Sequence, residues 1–284
     1  MPSPYRRLSL EDAVNLIFES ADASMEVGAF MYLEAAPLLD AGGRLRLAEL
    51  QRFVQQRLPG APELLRRILF PGPAAGRPVW VDDAGFDIRR HVLVEAVLEP
   101  GTEAEALGAV SQLMRQRLSL AHPPWQIWFL TGISGGRVGM LIKHHHVLAD
   151  GTATVNLTRC LLDLTRLPAR PGYLPWRPGP PTGYMELLLD NLAGKARALA
   201  RAMAALRHPG RLVQALAASL HQLRVTLQAS RGAPRLSINR ALEGERRFRV
   251  ARYQLEAVRE VAHAHGPRST TSSSIWRRKE SASS

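Results

Sequence analysis

The stretch from Trp125 to Gly151 restricts the fold more than any other. "WQIWFLTG" and "RVGMLIKHHH" are apolar, β-rich runs, and Ser134-Gly135-Gly136 between them is turn chemistry, so the spacing predicts a β-hairpin. In the second run, alternation places Val138, Met140, Ile142 and His144 on one face. Beyond "ADG", Leu157, Leu161 and Leu164 recur at helical spacing. A strand, a tight loop and a helix in that order belong to an α/β fold, and such a loop is where α/β enzymes commonly place their chemistry.

The flanking sequence reads the same way. "LSLEDAVNLIFES" predicts a short amphipathic helix with Ser9 as N-cap, and "VGAFMYLE" a strand. "RLAELQRFVQQRL" carries Leu47, Leu50, Val54 and Leu58 at helical spacing and stops at Pro59-Gly60. "DIRRHVLVEAVL" predicts a strand and residues 102–118 a helix. Residues 167–183 are Pro-rich and read as a linker. After them comes a long Ala/Leu/Arg-rich helical region broken at Pro209-Gly210, then "RRFRVARYQL" as a strand and "EAVREVAHAHG" as a helix ended by Gly266.

The net charge of +12 is local. Residues 191–242 hold nine Lys/Arg and no acid, and the last eighteen residues hold four basic and one acidic, so the remaining 24 basic and 24 acidic residues cancel. Amphipathic basic helices of this kind suit an anionic membrane or lipid-droplet surface; phosphates of a ligand or a solvated face are the other readings. Nucleic acid is not expected, because no aromatic residues interleave with the charge and no reading motif is present. There is no apolar leader and no run long enough to span a bilayer, so a cytoplasmic protein, peripheral to the inner face of a membrane or to lipid inclusions, is expected. Hydrophobic residues make up 46%, enough for a real core, and the lone Cys160 in an apolar run is read as a small buried hydrophobe.

On the residues alone, "KHHHVLADG" (143–151) leaves three readings open. Adjacent histidines on a strand point to opposite faces, so His145 and His146 cannot easily share a metal; His144 and His146 can, with Asp150, although no clear zinc spacing is present. A strand end with solvated or satisfied histidines is the plain alternative. A catalytic base is the third, with Asp150 anchoring the loop and Gly151 allowing a close approach.

"HHVLADG" (145–151) resembles the HHxxxDG motif of acyltransferases built on the chloramphenicol acetyltransferase-like fold, which include condensation domains and the bacterial wax ester synthase/diacylglycerol acyltransferase family. Four further stretches resemble the latter in order: "LSLEDAVNLIFESADASMEVGAF", "FDIRRHV" (86–92), "LAHPPWQIW" and "SINRALEGERRFRVARYQLEAVREVAHAHG". The resemblance covers residues 8–266 with a variable middle. Pro124, Gln126 and Glu26 depart from the family's usual Leu, Glu and His.

The resemblance implies an α/β, chloramphenicol acetyltransferase-like two-layer sandwich, present as its first half, the crossover helices and the beginning of the second half. It implies boundaries of 1–166 for the half carrying HHxxxDG, 167–235 for the linker and basic helices, 236–266 for the start of the second half, and 267–284 for an aberrant Ser/Thr/Arg-rich tail. It implies an O-acyltransferase that moves a fatty acyl group from acyl-CoA, a co-substrate, to diacylglycerol or a long-chain alcohol, with no cofactor and no metal. His146 is then the general base, His145 a support of the motif, Asp150 a structural loop anchor and Gly151 the residue keeping the channel open. The alternatives are another acyltransferase of the same fold acting on carrier-bound or polyketide acyl groups, and a truncated, non-catalytic lipid-surface fragment. The tail has its own reading: were Arg268 to Ser274 encoded CGG TCA ACG ACG TCG TCC TCG, a shifted frame would give Val-Asn-Asp-Val-Val-Leu, the family's expected Asn-Asp segment, and resequencing tests that frameshift.

Overall fold

A computed structural model describes residues 5–19, 25–148, 176–206 and 248–265, together with Leu162 and Arg224. Its compact units are residues 1–246 and 247–284. In the first, the centre is a four-stranded sheet of β2 (Glu26–Glu34), β5 (Val92–Ala96), β6 (Trp125–Ile133) and β7 (Arg137–His145), in the order β2-β7-β6-β5. The predicted hairpin is β6–β7, and its turn uses Gly135 and Gly136 at φ of 77° and 65°, where a side chain would be strained. β2 lies antiparallel along the other edge of β7, and β5 runs parallel to β6. The parallel pair needs a crossover, which α3 (Glu103–Arg115) supplies, started by a Thr102–Glu105 capping box.

Alternation along β7 then separates two cores. Val138, Met140 and Ile142 pack with Val54 and Leu58 of and after α2 (Leu47–Arg57), while Leu141 faces Ala106, Val110 and Leu113 of α3. The sheet is therefore covered by a helix on each face. Each fully buried Leu or Val contributes about 1.5–3 kcal/mol relative to exposure, so these side chains fix the register of β7. Leu47, Leu50, Val54 and Leu58 all join the first core, as their spacing predicts.

A smaller sheet, order β1-β4-β3, is made of β1 (Tyr5–Arg7), β3 (Arg66–Leu69) and β4 (Val79–Asp82). Helix α1 (Leu10–Phe18) follows β1, and the Ser9 hydroxyl caps it by accepting the Asp12 N–H at 2.9 Å. Helix α4 (Tyr184–Leu206) docks its first turns on this sheet: Leu187 is buried beside Val79 and Val81, and Arg7 ties Asp190 (2.9 Å) and the Leu187 and Ala75 carbonyls together.

Two elements differ from expectation. The start of "DIRRHVLV" is a 3-10 turn over Ile88–Arg90 rather than strand, because the Asp87 carboxylate accepts the Arg89 N–H and closes the chain on itself. In the second unit, residues 248–254 form no strand; extended chain becomes strand only with a ladder partner, and none pairs with it among the described residues. The helix that follows, α5 (Leu255–His265), is formed as its spacing predicts.

Candidate active site

The three consecutive histidines meet three different fates. His144 and His145 are the last residues of β7 and each is 1% exposed, whereas His146 opens the following turn and is exposed. The strand ends at His145, so His146 lies in the turn rather than on the strand face that carries His144. Among the described residues no group of three or more His, Cys, Asp or Glu is placed to hold a metal. Asp150, Gly151 and the helix expected around Leu157, Leu161 and Leu164 lie outside the described residues.

Backbone bonds hold the turn from both sides. The His145 N–H donates to the Pro124 carbonyl (2.9 Å), the His146 N–H to the Met25 carbonyl (2.7 Å), and the Leu148 N–H to the His145 carbonyl (3.0 Å). The His145 ring adds a further tie: its Nδ1 accepts the Val147 N–H at 3.1 Å. A backbone amide only donates, so Nδ1 is unprotonated and the ring proton sits on Nε2. That nitrogen faces a Glu19 carboxylate oxygen at 3.2 Å. Sequence reasoning missed Glu19; it lies 126 residues away, just past α1, and no spacing links it to the motif.

Beneath the motif is a buried ion pair. Lys143 Nζ lies 2.9 Å from Glu26, with the two side chains 0% and 1% exposed. The same ammonium donates to the Leu113 carbonyl at 3.0 Å and to the Gln116 carbonyl, at the end of α3, where a cation meets the negative end of the helix dipole. The second Glu26 oxygen accepts the Leu118 N–H. Glu26, one of the departures from the family's usual residues, thus belongs to a charge cluster that pins α3 to the motif strand.

The stretches "FDIRRHV" and "HPPWQIW" interlock beside the histidines. His91 stacks on both Phe86 (4.9 Å) and Trp125 (4.5 Å), its Nδ1–H donating to the Trp125 carbonyl at 2.8 Å, and the Trp125 indole N–H donates to the Leu64 carbonyl at 2.7 Å. Trp125 pairs with His144 in register and is core. Trp128 is only half-buried, packs on the α3 side, and donates to Gln126 at 3.1 Å. An apolar cavity of about 440 Å³ opens between α2 and the sheet, with Leu50, Phe53, Phe129 and Met140 in its walls; that is ligand-sized.

Burial holds two histidines neutral. It pushes the His91 imidazole down to about 4, and burial, then the neighbouring His146 and His145, push His144 down to about 4. The unfolded chain takes up these protons near 6.5, so below that pH it binds more protons than the folded protein and folding is penalised. The stability is present above about 6.5, is lost as pH falls, and is gone below about 4, at a cost on the order of 3 kcal/mol per histidine. Urea midpoints measured from pH 7 to 4.5 should therefore fall, and His144→Gln should flatten that slope; equal slopes would contradict the assignment.

The chain is similar to known proteins along most of its length. The family model described as the wax ester synthase/diacylglycerol acyltransferase catalytic domain matches residues 8–271. A probable diacylglycerol O-acyltransferase of Mycobacterium tuberculosis is 29% identical over 276 residues, covering 93% of this chain and 98% of that one. A putative diacylglycerol O-acyltransferase of the same organism is 28% identical over 264 residues, and there the alignment covers 92% of this chain but 55% of the relative. The solved wax ester synthase/diacylglycerol acyltransferase of Marinobacter aquaeolei VT8 superposes with a TM-score of 0.57 at 23% identity, over 93% of this chain and 57% of that chain. That superposition establishes the α/β, chloramphenicol acetyltransferase-like fold.

Proposed function

Because the chain belongs to the wax ester synthase/diacylglycerol acyltransferase family, we propose that it is an O-acyltransferase that moves a fatty acyl group from acyl-CoA to diacylglycerol or to a long-chain alcohol, with His146 as general base. The observation that carries this reading is the exposure of His146 next to two buried histidines. Of the three, only its imidazole is open to a substrate at the end of β7. His144, pushed down to about 4 by burial, is a poor base and is enclosed in the core. The apolar cavity beside α2 is consistent with an aliphatic substrate.

The chemistry requires few groups. A hydroxyl is a poor nucleophile at neutral pH; as its oxygen bonds to the thioester carbonyl carbon, His146 takes the hydroxyl proton. The tetrahedral intermediate collapses by breaking the C–S bond, and the imidazolium returns the proton to the departing thiolate, giving an ester and free CoA thiol. Asp150 and Gly151 retain the roles of loop anchor and channel residue implied by the motif.

Helix α4 supports a lipid surface as the place of work. Met185, Leu189, Leu192, Leu199 and Met203, at spacings of four, three, seven and four residues, form an exposed apolar stripe, and no acid follows Asp190 until Glu243. No helix among the described residues is long and apolar enough to cross a membrane. The test supplies palmitoyl-CoA with dioleoylglycerol or hexadecanol in neutral or anionic vesicles and follows thiol release. Release with either acceptor, faster on anionic vesicles, is expected. No release with either, in folded protein, overturns the acyltransferase reading; equal rates on both vesicles overturn the surface reading.

A further inference from the structure

Glu19, from a distant part of the chain, places a carboxylate oxygen 3.2 Å from Nε2 of His145. Its side chain is 12% exposed and that of His145 is 1% exposed, so their contact is shielded from water and correspondingly strong. We infer that Glu19 is the positioning residue of the turn that carries His146: its carboxylate keeps the His145 proton on Nε2, and so leaves Nδ1 to accept the Val147 N–H.

The argument is one of donor and acceptor counting. A neutral imidazole carries one proton and two nitrogens. With the proton on Nε2, both contacts are satisfied: Nε2–H donates to Glu19 and Nδ1 accepts from Val147. With the proton on Nδ1, two donors face each other at Val147 and two acceptors face each other at Glu19. In a site this buried each unmade bond costs about 1–3 kcal/mol, so the carboxylate and the Val147 N–H together fix the tautomer, and loss of the carboxylate halves the penalty on the Nδ1–H form. The tautomer in turn decides the turn. Val147 is itself buried, and its N–H is the tie through which the His145 ring helps close the chain just after His146. Helix α1 delivers the carboxylate: Ser9 caps its start, Leu8 and Ala13 are buried beneath it, and Glu19 follows its last residue. Glu19 touches neither the exposed imidazole nor any reacting atom; it acts through His145.

The catalytic part of this inference rests on His146 being the base; the tautomer part does not. The test uses the full chain with ¹⁵N-labelled histidine. Long-range ¹H–¹⁵N correlation spectra should show the Nε2–H form of His145 in the parent and in Glu19→Gln, whose amide oxygen still accepts, and a mixture of tautomers in Glu19→Ala. With palmitoyl-CoA and the responding acceptor, Glu19→Ala should lower kcat by about 10–100-fold, the range typical of groups that orient a catalytic ligand, while KM stays nearly constant and Glu19→Gln restores most of the rate. An unchanged tautomer in Glu19→Ala, or a Glu19→Gln protein that folds yet is as slow as Glu19→Ala, would overturn the inference. A fully active His146→Ala protein would instead overturn the assignment of His146 as base, and the spectra alone would then decide the role of Glu19.

Discussion

His146→Ala should abolish measurable acyl transfer while leaving the protein folded. A positioned base contributes about 10²–10⁴-fold, and with a hydroxyl nucleophile little reaction remains once the proton has no acceptor. The fold should hardly register the change. The side chain is exposed, and the structural tie at this position is the backbone N–H to the Met25 carbonyl, which alanine keeps. The comparison with its neighbours sharpens the test, because removing the buried His144 or His145 rings should lower stability as well as rate. Thiol release from palmitoyl-CoA, read beside thermal melting, separates the two patterns. A folded His146→Ala protein with parental turnover would remove the base from this position.

Lys143→Met should produce the largest loss of stability. The substitution leaves the Glu26 carboxylate at 1% exposure without its cation, and it removes the donor to the Leu113 and Gln116 carbonyls at the end of α3. Breaking one side of a buried pair typically costs about 3–5 kcal/mol, because the remaining charge stays desolvated. Replacing both partners is a different experiment. Lys143→Met with Glu26→Leu removes the uncompensated charge, and buried pairs exchanged for apolar side chains are often neutral in stability. Recovery should be substantial yet incomplete here, since the Leu118 N–H also loses its acceptor. Urea unfolding of the two single variants and the double variant gives the coupling directly; additive losses would mean that the two groups are not paired.

Much of this architecture was legible in the sequence because it is written in local periods. Val138, Met140 and Ile142 alternate, and Leu47, Leu50, Val54 and Leu58 repeat at helical spacing, so each segment names its own element and buried face. The hairpin was readable from its glycines, which supply backbone angles that other residues resist. What was not legible depends on partners distant in the chain. Residues 248–254 have strand composition but no ladder among the described residues, and composition alone does not supply one. Asp87 turned a strand start into a 3-10 turn through a single side-chain bond. At the site, the motif singles out His145 and His146 by resemblance, and the fold buries the first and exposes the second. Glu19 and the Glu26–Lys143 pair were out of reach, because a glutamate past a helix end and a lysine in an apolar run are, by base composition alone, ordinary surface residues.

The order of the four-stranded sheet has a consequence for synthesis. β7, which carries the histidines, is flanked on one side by β6, its hairpin neighbour, and on the other by β2, where Glu26 pairs with His145. At about 5–20 residues per second, the ribosome needs roughly 6–24 s to travel from one member of that pair to the other. Through that interval β2 exists as an apolar strand whose eventual neighbour has not been made, so the nascent chain carries an unpaired, aggregation-prone edge. The turn that carries His146 cannot form before that edge is closed, since the Met25 carbonyl and the Glu19 carboxylate that hold it lie on the early side of the gap.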